Sequence, residues 1–444
     1  SNQGAGSGGT IDIAAGSIAI SGGKADAVGL PDATTGLTYF GYYSGLYVTS
    51  QSGATGRGGQ VRLNADTLRI ADGGTISGIT LGAGDAGNFD ITVRSVNLES
   101  GGLIHTSTSG AGAAGSVNLT ASESLRASGL LDPVKYAGFA PRGSSSSGIG
   151  SKATPELNPR SAVLGNAGAI TMAAPVVLLA DGAEISTSAA KNAMGGTIAI
   201  TAGEVDILRG ASVSAASIGS GNAGSIAIRA GHRLQLMDGG AIITEARSAD
   251  GGNIDIAAAK LVRLSGSKIT TSVGTGLGNG GNIFIDPQFV VLNGSRIIAN
   301  AWGGNGGNIR IAAQNYLASP DSVVEASSQL GIAGTIQITS PNSDVGAGLA
   351  VLPAKFFDAA ALLRQSCARR AGSTASSFVA VGRGGLPASP DGLLASLPAW
   401  GRPGPASAGV PAQFEHAAGA VRIAVPADLL RRIAATPTGL RCGG

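Results

Sequence analysis

Gly224-Ser225-Ile226-Ala227-Ile228-Arg229-Ala230-Gly231-His232-Arg233-Leu234-Gln235-Leu236-Met237-Asp238-Gly239-Gly240-Ala241-Ile242-Ile243-Thr244 decides how this chain folds. The stretch holds three short apolar segments, Ile226 and Ile228, Leu234 and Leu236, then Ile242 and Thr244, before a polar loop leads to Gly252. Alternation with period two places the apolar side chains on one face of a strand, and the Gly and Asp between segments mark turns. Three strands and three turns make one coil of a triangular β-helix. Such a coil returns to its start and stacks in parallel on the next.

The unit recurs along most of the chain. A glycine, a small polar residue and alternating aliphatics begin at Gly9, Gly59, Gly87, Gly115, Gly168, Gly196, Gly224, Gly252, Gly281, Gly307 and Gly334. Most of these glycines lie 26 to 29 residues apart, and the longer intervals after Gly9 and Gly115 each hold one repeat plus an insertion. A fixed period in this range is the signature of a solenoid. The expected fold is therefore all-β: a right-handed parallel β-helix over residues 1–340, about 28 residues per coil, with insertions near 24–46 and 127–160. At ~4.8 Å per coil the rod would be on the order of 50 Å long.

The same alternation assigns faces. The second and fourth positions after each glycine point inward, and the residue between them points out. That outer column reads Asp12, Arg62, Asp90, Asn118, Thr171, Ala199, Ala227, Asp255, Phe284, Arg310 and Gln337, with no run of aromatics or of one charge sign. Asn253, Asn282 and Asn308 follow the glycine in three consecutive coils. Their amides could hydrogen-bond up a ladder, or Asn could be there for its tolerance of left-handed turn geometry.

Composition agrees. Glycine fills 73 of 444 positions without the every-third-residue period of collagen, and 43% apolar content excludes a disordered chain. Aromatics are only 4%, so small aliphatics must fill the core. A net charge of +3 is no electrostatic footprint for nucleic acid. The charge is uneven, with ten Lys plus Arg against four Asp plus Glu in residues 345–444. The chain starts at Ser1 without initiator Met or leader and reads as a fragment or processed form.

Motifs for catalysis or cofactors are weak. Gly82-Ala83-Gly84-Asp85-Ala86-Gly87 fits GxGxxG, as do Gly219, Gly221 and Gly224, but an alternating strand follows each where a dinucleotide fold needs a helix. His105, His232 and His416 are far apart, each reads as a solvated surface histidine, and with two distant cysteines they assemble no zinc site. No cofactor or metal is expected. The enzymatic alternative is a polysaccharide lyase or hydrolase, which needs converging carboxylates. Asp12, Asp90 and Asp255 share a column but are separated by other residues, and Asp181 and Asp238 precede turn glycines, where Asp has a local role.

The repeated G-[N/T/S]-I-x-I unit, the D-G-G turn and the I-x-T strand resemble the filamentous haemagglutinin family of two-partner-secretion exoproteins, over roughly residues 1–340. A second stretch, Ser366-Cys367 through Ser376-Ser377-Phe378-Val379-Ala380-Val381-Gly382-Arg383-Gly384-Gly385-Leu386-Pro387, looks like the tail of large members of that family. The resemblance implies export through an outer-membrane β-barrel transporter of a Gram-negative bacterium. It also implies display outside the cell as an adhesin for host or bacterial glycans or proteins. The family's N-terminal secretion signature is not visible, as in a C-terminal part. In the oxidising compartment so implied, Cys367 and Cys442 could form one disulfide, or remain two free thiols.

Beyond the repeat, residues 341–400 are expected to begin as a cap, with helical spacing at 356–368. Residues 401–444 read as a Pro/Gly linker and basic tail, with a strand at Val421, Ile423 and Val425 and a short helix from Pro426 to Ala434. The candidate ligand-binding loop is the aromatic group Tyr39, Phe40, Tyr42, Tyr43 and Tyr47 in the first insertion. Projecting rings can stack on sugars or partners. The alternative is that they pack the loop onto the rod.

Overall fold

The computed structural model describes residues 4–31, 38–137, 139, 145–155, 161, 163–340, 416–417 and 420–421. Contacts divide the chain into two units, Ser1–Asp344 and Val345–Gly444. In the first, parallel strands stack as a β-solenoid in two main sheets of 14 and 10 strands. The first and second apolar segments of each coil build the larger sheet and the third builds the smaller.

The register matches the alternation. Val61, Phe89, Val117, Ile170, Ile198, Ile226, Ile254, Ile283 and Ile309 stack in one buried inner column. Burying each such side chain is worth about 1.5–3 kcal/mol. Leu68, Val96, Leu125, Val177, Val205, Leu234, Val262 and Val290 form a second column, and Ile76, Ile104, Ile149, Ile185, Val213, Ile242, Ile269 and Ile297 a third. The larger Phe89 fits because Gly78 faces it. A Cβ on Gly78 would come within 2.9 Å of the Phe89 ring.

The recurring glycines are explained by close approach. A Cβ on Gly252 would lie inside the van der Waals envelope of the Gly224 carbonyl oxygen, and Gly224 stands likewise over Gly196. Buried hydroxyls fasten this column. Thr106 Oγ1 accepts from Gly115 N at 2.9 Å and donates to Gly87 O at 3.0 Å. Ser151 repeats the pattern between Gly168 N and Gly115 O, and Thr187, Thr244 and Thr271 donate to Gly196, Gly252 and Gly281. Elsewhere the coil turns at pairs such as Asp72-Gly73 and Asp238-Gly239, with consecutive positive φ of 48° and 80°, and 52° and 84°. The following amide bonds back, Gly74 N to Ala71 O at 2.8 Å and Gly240 N to Met237 O at 3.0 Å, as in a type I′ turn.

Two expectations need correction. The first two segments of a coil are not separated by a turn in the first seven coils. They run on as single strands such as Val117–Ser128 and Ile226–Met237. Small residues at the bend, such as Ala230 and Gly231, let pairing continue around it, with a register shift between Ala202 and Glu204. From the Gly252 coil onward the strand divides, as at Ile283–Asp286 and Phe289–Asn293, where Pro287 has no N–H to give the ladder. The second correction is His105, which is 5% exposed and not solvated. It lies in Leu103–Thr108, a strand buried at all six residues, beside Ser77 and Gly150 in register. These small neighbours let its ring pack along the sheet, with Nδ1 3.3 Å from Ser107 Oγ. His232 is exposed, as expected.

The first long interval carries an antiparallel hairpin, Gly23–Pro31 with Thr38–Tyr43. In the second unit the described residues are an antiparallel pair, His416–Ala417 with Ala420–Val421. The segments 341–400 and 356–368, the rest of 401–444, and Cys367 and Cys442 lie outside the described residues.

Candidate functional site

The aromatic loop is described at two of its five rings. The side chains of Tyr39, Phe40 and Tyr42 lie outside the described residues. Tyr43 packs against Tyr136 and Phe139 of the second insertion, at centroid distances of 5.6 and 5.3 Å, and Tyr136 meets Phe139 edge-on at 4.8 Å. Tyr136 is 6% exposed and its hydroxyl donates to Asp72 O at 2.6 Å, tying the cluster to a turn of the solenoid. These rings join the two insertions to each other. Tyr47 stands in the solenoid strand Gly45–Ser50, opposite Ser77, and donates to Tyr43 O at 2.7 Å.

The asparagines form a ladder to backbone. Asn253 Oδ1 accepts from Asn282 N, Asn282 Oδ1 from Asn308 N and Asn308 Oδ1 from Thr335 N, each at 2.9 Å. A parallel ladder three residues earlier was not foreseen. There Asn222, Asp250, Asn279 and Asn305 each accept from the next coil's amide. The spacing of Asp250, Asn279 and Asn305 matches that of the glycines and could have revealed it.

Charged groups on the outer surface also join coils. Arg69 pairs with Glu99, Arg94 with Glu123, Lys152 with Glu184 and Arg233 with Glu204 and Asp206. Asp90 accepts from Gln60 and Asn118, both at 2.9 Å. Asp181 takes two bonds from Arg209, at 2.6 and 3.0 Å, and these hold its carboxyl below the usual range. Asp12 faces Arg62 in register and Asp255 lies between Ala227 and Phe284, so the outer column does not bring its carboxylates together. Among the described residues no three His, Cys, Asp or Glu side chains could hold a metal ion.

Among the described residues, a cleft of about 450 Å³ is lined by Arg57, Asp85 and Asn88, and two further concavities offer more room for a ligand. A groove of about 880 Å³ follows the bend of the larger sheet across the later coils, lined by alanines with Arg229, Lys260, Asp286 and Gln288. Asp286 is the one carboxylate lining it. A second cleft, of about 550 Å³, lies on the outer face of the smaller sheet around Trp302, Asn300, Glu325, Ser327 and Gln329. Trp302 is 45% exposed. It follows Ala301, whose backbone bridges to Ser328 in the next coil, so Gln329 stands next to it. Sequence reasoning passed over this cleft because its residues are some 25 positions apart. The signal was one of only two tryptophans, at a position where other coils carry Ile218, Arg247, Gly274 and Gln329.

Comparison of the chain with protein-family models, curated proteins and solved structures finds no match.

Proposed function

We propose that this chain is the displayed, structural part of an adhesin, secreted or held at the surface of a Gram-negative bacterium, that attaches to cells, glycans or matrix. The observation carrying this reading is how the solenoid uses its polar side chains. Arg69 with Glu99, Arg94 with Glu123, Arg209 with Asp181 and the asparagine ladder engage the neighbouring coil, which builds a stable scaffold. Export through an outer-membrane β-barrel transporter belongs to the same proposal. It rests on the sequence resemblance to two-partner-secretion exoproteins.

A carbohydrate-active enzyme is the second reading, favoured by the larger groove. Arg229 and Lys260 there could bind an acidic polysaccharide, and Asp286 could exchange a proton. A hydrolase needs two carboxylates flanking the bond, so a lyase fits that groove better. Purified protein should bind immobilised cells or glycans and leave acidic and neutral polysaccharides uncut, with or without Ca²⁺. Depolymerisation that Asp286→Asn abolishes would replace the adhesin reading with the lyase.

A further inference from the structure

We infer that the cleft at Trp302 is a binding site for a neutral glycan chain. This inference rests on the adhesin reading and specifies a ligand class for it. Along the outer face of the smaller sheet, consecutive coils present Glu245, Ser272, Asn300 and Ser327 in one column. Beside it, Arg247, Gly274, Trp302 and Gln329 form a second. Gly274 contributes no side chain, so space opens next to the indole. The result is an aromatic plate bordering a strip of hydroxyl, amide and carboxylate groups.

The polar groups of the cleft are held in place and still have capacity. Asn300 Oδ1 accepts from Ser327 N at 2.8 Å, which fixes the amide, and its Nδ2 has no hydrogen-bond partner among the described residues. Glu325 Oε1 accepts from Ser327 Oγ at 2.7 Å, and Oε2 likewise has no described partner. Both residues line the same cleft as the ring. A pyranose matches this chemistry, since its C–H face lies on an indole while its hydroxyls both donate and accept. The coils repeat at ~4.8 Å, comparable to one sugar unit in an extended chain, so successive units can meet successive coils.

Charge selects the class. The cleft lining holds one carboxylate, Glu325, and no Lys or Arg. A uronic acid or sulfated unit seated in the cleft would bring an anion against Glu325 with no cation in the lining, the nearest in this column being Arg247 two coils away. A neutral sugar would meet only hydrogen-bonding groups.

The test uses the full chain carrying Trp400→Phe, which leaves Trp302 as the one tryptophan. Hexamers of glucose, N-acetylglucosamine and galacturonic acid are titrated by calorimetry and indole fluorescence. A neutral hexamer is expected to bind and shift the fluorescence. Trp302→Ala should weaken it at least tenfold and Gln329→Ala several-fold, with unchanged circular dichroism. Galacturonic acid hexamer should bind at least tenfold more weakly, and Glu325→Gln should narrow that gap. Equal binding by Trp302→Ala, preference for the acidic hexamer, or no binding of any hexamer would each overturn the inference. Cell attachment is measured in parallel. Attachment that persists while the inference fails leaves the adhesin reading standing, and loss of attachment by the parent protein removes that reading itself.

Discussion

At the scale of single residues, the solenoid depends most on atoms that are missing. Gly252 has no Cβ because the Gly224 carbonyl already occupies that space. Gly252→Ala must push two coils apart against the hydrogen bond from Thr244 Oγ1 to Gly252 O at 2.7 Å. Overpacking of this kind costs about 1–3 kcal/mol, and the expected reading is a fall in the urea midpoint equal to that loss divided by the m-value. Gly274→Ala is the control. Its nearest neighbour would be Arg247 O at 3.8 Å, so stability should stay within about 0.5 kcal/mol. Charge acts at the same scale through Asp181. Hydrogen bonds from Arg209, then their mutual attraction, lower its folded pKa below the ordinary 3.8. A depressed carboxylate pKa contributes stability that is complete above the unfolded value and is lost as pH falls through the folded one. The contribution should therefore fade only below about pH 4, where both values lie. In Arg209→Ala the Asp181 carboxyl, followed by NMR, should titrate at higher pH, and an unchanged value would refute this cause.

At the scale of elements, the insertions meet the coils at turns, with Leu131 against Gly73 and Gly101 and Leu130 against Gly182, and should detach without unfolding the coils. The Tyr136 hydroxyl adds a bond to Asp72 O, and the Tyr43–Tyr136–Phe139 cluster joins the two insertions to each other. Tyr43→Ala should speed protease cleavage within residues 130–147 while leaving amide exchange in Ile198–Leu208 unchanged. Equal acceleration in both places would show that the cluster supports the solenoid itself. What the sequence discloses at this scale follows its own locality. Ile226, Ile228, Leu234 and Leu236 announce their inner columns because alternation is read within ten residues. The continuous strand Ile226–Met237 is hidden, because Ala230-Gly231-His232 reads as a turn although its small residues keep pairing around the bend. His105 is hidden for another reason, since its burial depends on Ser77 and Gly150, far along the chain. The Trp302 cleft is hidden in the same way, for it exists only once three coils are stacked.

At the scale of the whole solenoid, each coil meets chiefly the coils on either side, so stability approximates a sum of coil and nearest-neighbour terms. The coils at Gly168, Gly196, Gly224 and Gly252 share one 28-residue spacing, which makes removal of one a direct test. Deleting Thr197–Gly224 joins Gly196 to Ser225, a glycine followed by a small polar residue as at Gly196-Thr197 and Gly252-Asn253. Ile170 and Ile185 would then stack on Ile226 and Ile242 in place of Ile198 and Val213. Those inner columns are kept. The losses lie at the surface. Arg209 leaves Asp181, Glu204 and Asp206 leave Arg233, and the turn residues Asp181 and Asp238 become neighbours of like charge. Such surface changes cost on the order of 1 kcal/mol or less each, whereas the missing inner side chains take their own coil with them. The shortened protein should keep the strand-dominated circular dichroism of the parent. Its m-value, which scales with surface exposed on unfolding, should fall by about a tenth. An insoluble or unfolded product would show that coil identity, and not only coil pattern, holds the stack together.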